Sequence, residues 1–101
     1  MALRLLTGDA ALAHIGAQTF VTAWRALHAA CPWATACQHP DFVLPWYGLY
    51  AGLFVPVVVL QETDDRALVG LLPLALDDKG QRLTGAGECH AEYQGWLQPP
   101  D

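Results

Sequence analysis

Apolar positions along this chain recur first at helical spacing and then in strand-like runs, which divides it into a helical front half and a strand-rich back half. The opening ALRLL, residues 2–6, reads as a short strand. Thr7, Gly8 and Asp9 then form a turn, with Asp9 placed to cap a helix by accepting its unpaired backbone N–H groups. From residue 10 to about residue 31, Leu12, Ile15, Gly16, Phe20, Ala23, Trp24, Leu27 and Cys31 share one broad face, while His14, Gln18, Arg25 and His28 lie opposite. This pattern predicts one long helix, closed by Pro32. In HPDFVLPWYGLY, Pro40 in a first turn with Asp41 beside it marks the start of a second, shorter helix that Pro45 limits or kinks. FVPVVVLQE is β-branched and reads as a strand, residues 63–66 as a turn, and ALVGLLPLAL as a second, buried strand in which Gly70 and Pro73 mark a bulge or an edge. Asp77, Asp78, Lys79 and Gly80 make another turn, and residues 81–84 begin a third strand of the meander.

Composition adds a tension to that α+β outline. The chain has 101 residues, one domain's worth, and is 53% hydrophobic with only 15% charged residues, more apolar surface than a small monomer easily hides. A missing partner surface is the expectation. The net charge of −5, with five Lys and Arg in all, excludes a role that depends on neutralising phosphates along a nucleic acid. Three cysteines without regular spacing do not make a disulfide framework and fit a reducing compartment, so the cytoplasm is expected. Asp9 falls where a signal peptide would need its apolar stretch. Residues 42–60 carry no charge and are just long enough to span a membrane. Pro45 and Pro56, Gly48 and Gly52, acidic flanks and a switch from aromatic to β-branched composition midway favour a helix followed by a core strand.

Candidate chemistry gathers near the C-terminal end. Arg82, Gly85 and Gly87 fit the Arg/Gln-x-x-Gly-x-Gly/Ala pattern that turns backbone N–H groups toward the pyrophosphate of coenzyme A. Such a loop requires a helix directly after it; here Gly95 and the Pro99-Pro100 pair leave at most a stub, and Ala91, Tyr93, Gly95 and Leu97 alternate equally well as a strand. Cys31, Cys37, His39, Cys89 and His90 are ligand types for zinc. Adjacent Cys89 and His90, however, would point to opposite sides of a strand. The same objection weakens them as a nucleophile and its base.

The order of elements, taken with WRALHAA in the first helix, HPDFVLPWY at the second, the hairpin VVVLQETDDRALVGLLPLAL, and RLTGAG followed by EYQGWLQPP, resembles the first half of the GNAT N-acyltransferase fold. More narrowly, it is similar to the N-terminal lobe of two-lobed acetyltransferases associated with cellulose biosynthesis and related to Fem-like aminoacyltransferases. The resemblance runs over nearly the whole chain and implies that residues 1–101 are a single lobe that stops before the cofactor-binding lobe. It departs from the family at Glu92-Tyr93, where Asp-Tyr is usual. The resemblance implies an incomplete GNAT-like half: short strand, two helices, antiparallel β-meander and a further extended segment. It also implies transfer of an acyl group from acetyl-CoA, or another acyl-CoA, to an amine by the intact protein, with the cofactor loop in the second lobe and no cofactor held by this segment alone. Glu92 would then orient or neutralise a cationic acceptor, Tyr93 would line its pocket, and His90 would titrate near neutrality. The expected partner is the missing C-terminal catalytic lobe, or a second copy meeting an exposed apolar sheet face; the alternatives are a non-catalytic interaction module and a small membrane-associated protein.

Overall fold

A computed structural model describes residues 2–77, 79–80, 82–86 and 96–98. Strand β1 (Ala2–Thr7) leads into helices α1 (Gly8–Ile15) and α2 (Gln18–Ala30); a 3-10 turn (Ala36–Gln38) and helix α3 (Pro40–Leu49) follow, then strands β2 (Phe54–Glu62), β3 (Leu68–Asp77) and β4 (Leu83–Gly85). The strands form one antiparallel sheet in the order β1-β2-β3-β4. The strand, helices and meander stand in the expected order, and the fold is mixed α+β.

The long helix expected over residues 10–31 is two helices, and geometry explains the break. Ala11 and Ile15 are the buried residues of α1, whereas Phe20, Trp24 and Leu27 are those of α2. At about 100° per residue, Ala11 and Phe20 would lie about 180° apart on one straight helix, so no single cylinder could bury both sets against the same sheet. The chain resolves this at Gly16 and Ala17, where Ala17 takes an extended conformation (φ −67°, ψ 140°) before α2 starts. The expected Asp9 cap is also displaced. Thr7 occupies the cap position without a side-chain bond, Gly8 turns the strand into the helix at φ +63°, and Asp9 lies in the first turn, where its negative charge complements the positive end of the helix dipole.

Two prolines stand inside the sheet without breaking it. Pro73 accepts from the Ala86 N–H through its carbonyl, so its backbone polar side faces β4; the N–H it lacks belongs to that row, beside the end of β4. By the same alternation Pro56 faces the β1 side, one position beyond the last β1 pair, Thr7 with Val57. The bulge foreseen near Gly70 is present: Gln61 pairs with Gly70 and Glu62 with Leu68, leaving Val69 extra. Past β4 the same edge of β3 is met by Leu97, which exchanges backbone bonds with Leu71 at 2.9 and 3.1 Å.

The core lies between the helices and one face of the sheet. Ile15, Trp24 and Val43 from the helices meet Val58, Leu60 and Leu71, all essentially inaccessible, and each buried aliphatic side chain of this kind contributes about 1.5–3 kcal/mol. Trp24 satisfies its indole N–H on the Gln38 carbonyl at 3.0 Å, which ties α2 to the 3-10 turn. Trp46 packs against Tyr47, Tyr50 and Phe54 with ring centroids 5.2–5.9 Å apart, anchoring α3 at the start of β2. The uncharged stretch 42–60 is thus divided between α3 and β2, and among the described residues no helix is long and apolar enough to cross a membrane.

Candidate functional site

The sheet's second face is the first candidate. Side chains alternate along a strand, so the registers place Leu3 and Leu5 of β1, Val55, Val57 and Val59 of β2, Leu72, Leu74 and Leu76 of β3, and Leu83 of β4 on the side away from the helices. Leu3 is 68% exposed, Leu5 63% and Leu83 53%. An antiparallel sheet with one wet face ordinarily alternates apolar and polar residues; here both faces are apolar, the pattern of a sheet covered on both sides.

One corner of that face is closed. Trp96 lies over Gly70 so tightly that a Cβ at Gly70 would come within 2.3 Å of the indole Cζ2. The Trp96 indole N–H donates to Gln98 Oε1 at 2.7 Å, and its carbonyl accepts from the Trp33 indole at 3.3 Å. The loop after α2 and the C-terminal extended segment are joined through this corner.

Of the residues singled out for chemistry, Arg82 and Gly85 lie in the β3–β4 hairpin. The Arg82 carbonyl accepts from the Asp77 N–H at 3.0 Å, its N–H donates to Asp77 Oδ1 at 3.3 Å, and Gly85 is paired with Leu74. The next N–H, that of Ala86, is spent on Pro73 at 3.0 Å, so the described half of the glycine pattern runs along a strand and does not turn its donors outward as a pyrophosphate cradle would. Gly87, Cys89, His90, Glu92 and Tyr93 lie outside the described residues. The remaining zinc candidates are distributed structurally: Cys31 is buried behind α2, Cys37 sits in the 3-10 turn, and His39 caps α3 by accepting the Asp41 N–H at Nδ1. Among the described residues no three His, Cys, Asp or Glu side chains converge as a metal site.

A groove of about 960 Å³ on the helix side had no counterpart in the expectations drawn from sequence. It runs between α1, α2 and the β2–β3 hairpin, with Phe20, Leu27 and Leu68 among its apolar lining and Arg4, Glu62 and Arg66 among its polar groups. Arg4 donates to Glu62 Oε1 at 3.0 Å, and the Glu62 side chain is only 10% exposed. The available signals were an arginine inside an apolar strand and an acid closing the next one.

Elsewhere, charged pairs serve structure. Arg25 of α2 grips Asp41 of α3 with two bonds of 2.7 and 3.3 Å; that bond raises the pKa of the guanidinium and lowers that of the carboxyl. Burial pushes the Tyr47 hydroxyl far up, so it stays protonated and donates to the Leu74 carbonyl at 2.7 Å. No family model, curated protein or solved structure matches the chain.

Proposed function

We propose that this chain is the N-terminal part of a cytoplasmic, acyl-CoA-dependent N-acyltransferase, inactive alone, whose sheet is completed by a second layer that carries the coenzyme A site. The observation that supports the reading is the four-stranded antiparallel sheet, apolar on both faces, with every described helix on one of them. The path from β1 through helices into an antiparallel meander, which resembles the first half of the GNAT fold, supports it as well.

In the reaction the acceptor nitrogen attacks the thioester carbonyl, the C–N bond forms, and the C–S bond breaks with release of coenzyme A thiol. A base takes the amine proton, and backbone N–H groups hold the developing oxyanion. Glu92 neutralises and orients a cationic acceptor, Tyr93 lines the acceptor pocket, and His90 is the nearby group whose ordinary titration lies close to neutrality.

The test is to express this chain together with whatever its reading frame encodes beyond residue 101 and to measure acetyl-CoA binding by calorimetry and thiol release with a panel of amines. The longer protein is expected to bind and to turn over, Glu92→Gln to lower turnover markedly, and residues 1–101 alone to do neither. A longer product that neither binds an acyl-CoA nor releases thiol overturns the reading. So does a frame with no further layer and no separately encoded lobe that copurifies.

The exposure of Leu3, Leu5 and Leu83 favours one second reading, an interaction module that buries this face against another copy of itself. A molecular mass that rises with concentration, without acyl-CoA binding by the longer protein, selects it.

A further inference from the structure

We propose that the groove between α1, α2 and the β2–β3 hairpin binds a single-chain anionic amphiphile, a fatty carboxylate, with its alkyl chain along the alanine-lined trough and its carboxylate at Arg66. The inference is independent of the acyl-transfer reading, because it is argued only from residues of β1, α1, α2 and the β2–β3 hairpin, on the helix side of the sheet.

Shape is the first argument. The volume of about 960 Å³ falls at the upper end of the roughly 300–1,000 Å³ usual for small-molecule sites. Much of its helix side is small side chains, Ala10 and Ala13 from α1 and Ala23, Ala26 and Ala30 from α2, which leave room beside His14. Phe20, Leu27 and Leu68 give it apolar walls suited to methylene groups.

Charge is the second argument. The chain carries ten acids against five Lys and Arg, yet among the described residues only one acid, Glu62, lines the groove, and Arg4 already neutralises it at 3.0 Å. Arg66 is left over. It has no ion-pair partner among the described residues, and although Asp64 and Asp65 precede it in the chain, the described charged lining, Arg4 and Arg66 against Glu62, is net positive. A guanidinium matches a carboxylate with two parallel N–H bonds, which gives the head group a defined position.

Backbone strain at Arg66 is the third argument. It sits at φ +65°, a left-handed conformation in which glycine is unstrained and an arginine is not. The turn is held by the Arg66 N–H to the Thr63 carbonyl at 2.8 Å and by the Ala67 N–H to Thr63 Oγ1 at 3.1 Å. The fold keeps a cation at a place where a side chain is a cost, and a ligand-binding role accounts for it.

Dodecanoate, kept below its micelle concentration, is titrated into the chain by calorimetry, with dodecyltrimethylammonium as the control of equal tail and opposite head. The chain used carries Leu5→Lys and Leu83→Lys, which remove apolar surface from the opposite sheet face as a competing detergent site. Saturable one-to-one binding of dodecanoate and none of the cation is expected. Arg66→Gly should weaken it about tenfold, the loss of a charge-assisted pair, while thermal stability holds or rises. That combination separates a lost ligand contact from a damaged fold. Ala26→Phe, an exposed position that fills the trough, should abolish binding. Equal binding of the cationic amphiphile overturns the proposal, as does dodecanoate affinity that neither variant changes. Binding of an acidic amphipathic peptide where dodecanoate fails assigns the groove to a protein segment and overturns it equally.

Discussion

Replacing Gly70 by alanine tests the closed corner of the sheet, because two opposing terms of different size act at one atom. In a strand interior, alanine is favoured over glycine by about 0.5–1 kcal/mol. Against that, the new Cβ would lie 2.3 Å from Trp96 Cζ2 and 3.0 Å from Gln61 Cβ, where carbon atoms in contact prefer about 3.5–4.0 Å. The indole must withdraw by more than an ångström, although its N–H donates to Gln98 Oε1 and the Trp96 backbone carbonyl accepts from the Trp33 indole. A tryptophan buries about 150–250 Å². Giving up about half of that, at about 25 cal/mol per Å², loses about 2.5 kcal/mol. The net expectation for Gly70→Ala is destabilisation by about 1.5–2 kcal/mol, a fall in melting temperature of about 6–16 °C for a domain of this size. The assay is thermal and urea unfolding by far-ultraviolet circular dichroism, which does not depend on the tryptophan whose environment changes. In a Trp96→Ala background the indole clash is gone and only the 3.0 Å approach to Gln61 Cβ remains, so Gly70→Ala should cost at least about 1 kcal/mol less there than in the parent chain. Equal effects in the two backgrounds would refute the reasoning.

Three further outcomes are expected. Tyr47→Phe removes the donor to the Leu74 carbonyl and should cost about 0.5–1.5 kcal/mol in urea unfolding, with the fold retained. The lowered Asp41 carboxyl, held by its bond to Arg25, contributes stability that is present above the ordinary carboxylate range and is lost as pH falls through the lowered native value. Asp41→Asn should therefore flatten stability against pH in that acidic window, and added salt should shrink the difference because the pair is exposed. Leu5→Lys with Leu83→Lys should change unfolding free energy by less than about 0.5 kcal/mol and reduce self-association in sedimentation, since both side chains are mostly solvent-facing.

The order of elements was legible because each change of period coincides with punctuation. Pro40 opens α3, the β-branched run after residue 53 opens β2, and Gly70 sits beside the bulge. The break between α1 and α2 was not legible, since Leu12, Ile15, Phe20, Trp24 and Leu27 do make one broad helical face on paper. The division follows from which of these residues the sheet accepts. Ala11 replaces Leu12 as the buried partner of Ile15 once α1 settles over β1 and β2. Propensity alone cannot report that choice, which belongs to tertiary packing.

The same limit separates the two candidate sites. The apolar second face of the sheet announces itself locally, because FVPVVVLQE and LVGLLPLALD fail to alternate and a strand that fails to alternate needs cover on both sides. The groove leaves only two separated local marks, the arginine inside β1 and the acid closing β2. Its arginines are 62 positions apart, at Arg4 and Arg66, and its alanines look like ordinary helix formers until two separate helices bring them to one trough. Their separation follows from the break at Gly16 and Ala17, which the opposed burial of Ala11 and Phe20 requires. A continuous helix over residues 10–31 would have left Arg4 and Glu62 beside a single cylinder with no trough between two. The feature sequence periodicity misread is thus the feature that creates the cavity, and the chemistry assigned there depends on a backbone break two residues long.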